Sequence, residues 1–239
     1  MKNLKILTIA IAILCIASCT NAQMRKSVSG NGNVVTKERK TEQFTGIKVS
    51  SGIDVYLKQG DNLSLTVEAD ENLHEYILTE VRDGVLNVYT DANIREAERT
   101  RVNVTIKEIN SVKVSSAGDV FGQTPLKTET LDLSVSSAGD IKLEVYAKEI
   151  DLDISSSGDM TLSGEADVLD ADLSSAGDLN AYDLTVREAE ISVSSAGNAD
   201  ITVTEKLSAR ASSAGDINYK GNPKYVDAQS SSAGGIKKR

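Results

Sequence analysis

The sequence predicts an all-β protein, a parallel β-helix or solenoid with coils of roughly 19–20 residues, preceded by irregular strands and a hairpin in the same domain. Three observations carry this. A five-residue motif recurs seven times between Ser115 and Gly235, at a spacing of 18 to 21 residues. Apolar and polar residues alternate on both sides of each copy, the period of a strand with one buried face. Finally, a unit this short has no room for a crossover helix as well as a strand and its turns.

The motif is SSAGD at Ser115–Asp119, Ser136–Asp140, Ser174–Asp178 and Ser212–Asp216. It is SSSGD at Ser155–Asp159, SSAGN at Ser194–Asn198 and SSAGG at Ser231–Gly235. Aligned on Gly118, Gly139, Gly158, Gly177, Gly197, Gly215 and Gly234, the residues four earlier include Val114, Val135, Ile154, Leu173 and Val193. Those two later include Val120, Ile141, Met160 and Leu179. Each copy reads as a sharp corner between two short strands, two or three strands making one coil. Coils stacked ~4.8 Å apart turn equivalent inward positions into apolar columns. The corner glycine is expected to supply a positive φ. The neighbouring Asp119, Asp140, Asp159, Asp178, Asn198 and Asp216 are expected to bond backbone N–H groups of the turn. A sharper reading makes this aspartate ladder a rail for Ca²⁺, although the dense glycine-aspartate nonapeptide of calcium solenoids is missing; the cofactor expectation is none.

Before the repeats the elements follow in order. Lys2 and Lys5 precede an apolar run from Ile6 to Ala17, too short to span a membrane as a stable helix. Residues 1–18 read as a signal peptide ending at a lipobox-like Ile16-Ala17-Ser18-Cys19, which makes Cys19 the expected lipid attachment site. Cleavage after Ala22 is the rival. Residues 19–33 read as a tether, and 34–239 as the β-helix domain, with a first strand at Val34-Val35. Ile47 to Leu57 alternates well and contains Ser50-Ser51-Gly52, a degenerate corner with Asp54 two places after Gly52. Leu63, Leu65 and Val67 continue a strand. Leu73 and Ile77, four apart, suggest a single helical turn. Asp83-Gly84 between alternating flanks predicts a type I′ hairpin. Asp91 to Arg101 reads as a charged loop, and Val102, Val104 and Ile106 lead into the first full repeat.

Phe44-Thr45-Gly46-Ile47, then Val49-Ser50-Ser51-Gly52-Ile53-Asp54-Val55-Tyr56-Leu57, then Val67-Glu68-Ala69-Asp70-Glu71-Asn72-Leu73, together with the later Ser-Ala-Gly-Asp copies, resemble the putative auto-transporter adhesin head GIN domain family. Gly52-Ile53-Asp54 matches the motif after which that family is named. The resemblance covers about residues 34–236. It implies a right-handed, single-stranded β-helix and a secreted or lipid-anchored protein of the kind common in Bacteroidetes. It brings no catalytic residues. No membrane barrel follows the seventh corner, so self-transport is not expected. Residues 20–25, Thr-Asn-Ala-Gln-Met-Arg, lack the acidic run that surface lipoproteins of that phylum carry, which favours the periplasmic face of an outer-membrane lipoprotein over the cell surface.

Composition narrows the chemistry. Net charge is −9, and loss of residues 1–18 removes two lysines and no acids, giving −11. Such a surface disfavours nucleic acid and anionic headgroups as partners. Cys15 and Cys19 are the only cysteines, so a mature domain has no internal disulfide. Tryptophan is absent and aromatics make up 4%, few rings for stacking sugars. His74 is the single histidine, expected half-exposed at the surface, with no nucleophile close to it in sequence. No metal-ligand cluster or phosphate-binding loop is present. The uniform repeat length leaves no room for the long loops that build a cleft in β-helix polysaccharide lyases and glycosidases, the enzyme alternative. The expected function is therefore a non-enzymatic envelope scaffold or adhesin-like binding surface. Its membrane partner is reached through the anchor, and its glycan or protein ligand is open. The candidate ligand loop is Asp91–Arg101 with Arg95, Glu96, Arg99 and Arg101, because an insertion in a solenoid marks its binding face. In the last repeat the inward residues shrink to Ala228 and Ser230 and the chain reads Lys237-Lys238-Arg239. Both features are expected to discourage end-to-end stacking.

Overall fold

Alternation in the sequence becomes register in the computed structural model, which describes residues 25–239. The signal segment and Cys19 lie outside the described residues. The strands before the repeats are β1 (Ser27–Ser29), β2 (Val34–Glu38), β3 (Gly46–Val49), β4 (Asp54–Gln59), β5 (Ser64–Asp70), β6 (Ile77–Arg82), β7 (Val85–Thr90), β8 (Asn93–Glu96) and β9 (Thr100–Ile106). The repeats form β10 (Ser111–Ser115), β11 (Asp119–Gly122), β12 (Leu126–Ser136), β13 (Asp140–Ser155), β14 (Asp159–Leu173), β15 (Asp178–Val193), β16 (Asn198–Ala211), β17 (Asp216–Lys220), β18 (Tyr225–Ser230) and β19 (Gly235–Lys238). A single 3₁₀ turn, Glu71–Leu73, stands where one helical turn was expected.

The repeats are a β-solenoid of stacked parallel coils. Val114 pairs with Val135, Val135 with Ile154, Ile154 with Leu173, and Leu173 with Val193. All five are buried, forming one apolar column as the glycine alignment requires. Each such side chain brings roughly 1.5–3 kcal/mol of burial free energy, and neighbouring coils share the gain. The coil itself differs from the expected two or three short strands. Strand β13 runs 16 residues without interruption from one corner to the next. The reason is that neighbouring coils break their alternation in step, so the pairing skips Lys148 and resumes in register on its far side.

The corners correct the expected role of glycine. The positive φ angles fall on the two residues before it: Ser137 at 60° and Ala138 at 65°, Ser175 at 58° and Ala176 at 66°. Two successive left-handed residues make a type I′ turn, closed where Gly158 N–H donates to Ser155 O at 3.3 Å. Glycine follows because nothing else fits. A Cβ on Gly139 would lie 2.6 Å from Val114 Cγ1 and 2.8 Å from Gly118 O in the coil beneath. The left-handed residues cost about 1–2 kcal/mol each. Corner-to-corner hydrogen bonds offset this, such as Ala176 N–H to Ser195 O at 3.0 Å. The aspartates also bond across coils rather than within their own turn. Asp140 N–H donates to Asp119 Oδ1 at 3.2 Å, and Asn198 Nδ2 donates to Asp178 Oδ1 at 2.8 Å.

The order of coils at the other end departs from chain order. Strand β3 pairs with β7 on one side and β10 on the other, and β4 pairs with β9 and β11. The coil of residues 46–59 is thus inserted between a coil built from β7 and β9 and the first full repeat. Val102, Val104 and Ile106 lead along the chain into that repeat but lie one coil further out in the stack. Antiparallel strands close this end: β5 pairs with β2 and β9, and β6 returns onto β7 through the predicted Asp83-Gly84 hairpin, both residues at positive φ.

The register also relocates Gly52. Because Val49 pairs with Val114 and Asp54 with Asp119, Gly52 takes the left-handed Ala117 position, with φ 68°. Ile53 takes the inward position of Gly118 and is buried. A side chain is admitted there because the adjoining outer coil has no SSAG corner. The charged loop takes its place.

Candidate functional site

Where the outer coil should turn its corner, the chain between β7 and β9 instead swings outward. It is held from two directions. Strand β8 pairs in parallel with β1, which lies inside the segment read as a tether. Asn93 N–H donates to Lys26 O at 2.8 Å, and Gly30 N–H to Glu96 O at 2.7 Å. The second hold is Asp70, which is fully buried. Its carboxylate accepts from Gly32 N–H at 2.5 Å on the arm, and from Glu98 N–H at 2.8 Å and Arg99 N–H at 3.2 Å on the loop. Burial pushes the Asp70 pKa up, but these backbone donors outweigh it and hold the carboxyl below its usual range. One side chain therefore ties arm and loop together.

Under the loop lies an open cleft of about 660 Å³. Arg25, Asn93, Arg95 and Glu96 line its outer wall, and the corner residues Ser51 and Ser116 its floor. The cleft can offer two guanidinium groups, one carboxylate and several hydroxyls to a polar ligand. Of the four residues singled out in the sequence, Arg95 and Glu96 face this cleft. Arg99 turns to Glu68, with Nε 3.6 Å from Oε1. Arg101 lies with its guanidinium 3.8 Å from the centroid of the Tyr56 ring, and Tyr56 leans on Phe121 with ring centroids 5.3 Å apart. Sequence reasoning missed Arg25, Ser51, Ser116 and Asp70, which reach the site only through the inserted coil and the arm.

Arg101 also begins the aspartate ladder, since it pairs with Asp54, and Asp54 with Asp119, Asp119 with Asp140, and so on to Asp178. Burial raises the pKa of Asp54, against the pull of Arg101. Burial, then the charges of Asp140 and Asp54, raises that of Asp119; burial, then Asp140 and Asp178, raises that of Asp159. Among the described residues no three His, Cys, Asp or Glu side chains converge as a metal site would require. No helix among them is long and apolar enough to cross a membrane.

His74 is buried, not half-exposed as expected. Strand β2 and Arg39 lie against it. Its Nε2 lies 3.0 Å from Val35 O, Nδ1 has no partner, and Arg39 donates to its carbonyl at 2.8 Å. Burial, reinforced by the charges of Lys37 and Arg39, lowers its pKa.

Solved structures with this architecture span nearly the whole described chain. A putative adhesin from Bacteroides fragilis superposes with a TM-score of 0.84 at 22% identity, over 89% of this chain and 100% of that one. A putative lipid binding protein from Parabacteroides distasonis gives 0.76 at 24%, over 90% and 100%. A putative adhesin from the same species gives 0.72 at 26%, again over 90% and 100%. No protein of curated function matches the chain. The family model for the putative auto-transporter adhesin, head GIN domain, matches residues 43–223, from just before the inserted coil to the last full repeat, and the chain belongs to that family.

Proposed function

We propose that this protein is a non-enzymatic binding protein of the cell envelope, held to a membrane through lipid on Cys19 and using the capped end of its solenoid as an adhesin-like surface. The observation that carries this is the cleft beneath β8, where the outer coil, which lacks an SSAG corner, is braced by Asp70 and the N-terminal arm. A loop fixed on two sides is preorganised and loses little entropy on binding. The names of the related structures, adhesins and a lipid binding protein, support a binding role. The lipobox-like Ile16-Ala17-Ser18-Cys19 supports anchoring, and the lack of acids after Cys19 supports the periplasmic face. The test has two arms. Immobilised protein is exposed to fractionated envelope glycans and proteins, and Arg95→Ala should weaken retention of the captured fraction at least fivefold. In cells, Cys19→Ala should abolish lipid labelling and release the chain from the membrane fraction. A mature N-terminus at Gln23 would refute the anchor, and capture indifferent to Arg95 would refute the site.

A further inference from the structure

The bend opposite the SSAG corners carries a second surface, independent of the loop cleft and of the anchor. In three successive coils the chain there presents a small residue flanked by long polar ones: Thr128, Ala147 and Ala166 stand in register, with Lys127, Tyr146 and Glu165 on one side. On the other side the charges alternate coil by coil. Lys148 pairs with Glu129, and Arg187 bridges Asp167 at 3.2 Å and Glu205 at 3.3 Å. Small residues between long ones leave a trough along the solenoid axis. It opens into two hollows of about 590 and 380 Å³, and Thr128 and Tyr146 line both, so the Tyr146 ring stands at the middle of one continuous trough. From Asn110 to Arg187 it crosses five coils, four steps of ~4.8 Å, or roughly 19 Å.

We propose that this trough binds a linear, uncharged glycan lying along the solenoid axis. The lining chooses the ligand class. Acids outnumber bases in the lining, Glu108, Glu129, Glu165 and Asp167 against Lys127, Lys148 and Arg187, and Lys148 and Arg187 are already bonded to acids, on a protein that is strongly acidic overall. A polyanion therefore finds no excess of cations. An extended peptide finds no strand edge, because at Tyr146 the backbone is already paired with Lys127 on one side and Glu165 on the other. What remains is a row of charged side chains of both signs and threonine hydroxyls that donate and accept hydrogen bonds, beside one exposed aromatic ring. Sugar hydroxyls use the former and a pyranose face packs on the latter. Salt-bridged side chains are also held in place before the ligand arrives, which lowers the ordering cost.

The full-length protein is titrated by calorimetry with neutral oligosaccharides (chitin, mannan, xylan and β-glucan fragments) and with a uronate oligomer as the charged control. Saturable binding of at least one neutral oligosaccharide is expected, weakened tenfold or more by Tyr146→Ala and less than threefold by Tyr146→Phe. Arg95→Ala in the loop cleft should leave it unchanged. Circular dichroism on each variant verifies the fold, and Lys148→Ser serves as a second, exposed trough variant. No binding of any neutral oligosaccharide, a preference for the uronate, or binding indifferent to Tyr146→Ala and Lys148→Ser would overturn the proposal. Binding lost in Arg95→Ala alone would move the glycan to the loop cleft, leaving the adhesin-like reading intact.

Discussion

At each corner two adjacent residues solve different problems. Ala138 bears the left-handed backbone with a side chain it does not need, while Gly139 lacks a side chain because the coil beneath leaves no space. Ala138→Gly should therefore be neutral or stabilise by up to ~1 kcal/mol, since relief of the left-handed strain competes with added chain entropy. Gly139→Ala should destabilise by about 1–3 kcal/mol through overpacking against Val114. Urea unfolding of the two variants checks this, and equal effects would contradict the division of labour. Asp70 supplies the second residue-scale prediction. Its pKa is lowered in the folded state, so its contribution is fully present above the unfolded carboxylate value of about 3.9 and is lost as pH falls through the lower folded value. Asp70→Asn should cost about 1.5–3 kcal/mol, the range for hydrogen bonds to a charged acceptor. It should also raise amide exchange in Asn93–Arg99 while leaving β13 and β14 protected.

The inserted coil decides how elements depend on one another. Strand β4 is the only described bridge between β9 and β11, so Val55, buried at its centre, supports both the capped end and the first repeat. Val55→Asp should strip exchange protection from β9 and β11 together. Ile217→Asp, equally buried but in β17, should fray only the last coils, because solenoid stability is a sum of neighbour interactions. Protection of β9 surviving Val55→Asp would mean that the cap folds without this coil.

At the scale of the molecule, stacked carboxylates work against the fold at neutral pH. Asp54, Asp119, Asp153, Asp159 and Asp170 all have raised pKa values, burial being the first cause in each and neighbouring aspartates adding to it in all but Asp54. A raised acid contributes stability that is full below its unfolded pKa, about 3.9, and lost as pH rises through its folded value. Replacing Asp153 by Asn should thus raise the thermal midpoint, by more at neutral pH than near the unfolded carboxylate value of about 3.9. An unchanged midpoint would show that the ladders are screened. The last described coil carries the other prediction. Its strand β18 is exposed throughout, with Tyr225 at 72% and Val226 at 46% exposure. Lys238 and Arg239 bond back to Asn222 and Asn218 across this end. Replacing Lys237, Lys238 and Arg239 by Ser, Thr and Ser should remove the repulsion and promote end-to-end association, visible by sedimentation at matched concentration. Two monomeric proteins would show that the basic tail is not a cap.

The sequence by itself determined the solenoid, its coil length, the register of the apolar columns and the Asp83-Gly84 hairpin. These depend on periods and on residues a few places apart. It could not assign the positive φ to Ser137 and Ala138 rather than to Gly139, because a glycine placed for backbone freedom and one placed for lack of space look alike until the coil beneath is known. Nor could it order the first coils. Residues 46–59 alternate like any other coil, and nothing local says that β9 passes beyond them. The candidate site follows from that order. Arg95 and Glu96 were legible as a charged interruption of the repeat. Arg25, Ser51, Ser116 and Asp70 were not, since they meet the loop only where the inserted coil and the N-terminal arm bring together segments up to some ninety residues apart. Local patterning fixes which way a side chain faces along its own strand; which distant strand lies beside it is set by packing, and here that choice alone builds the cleft.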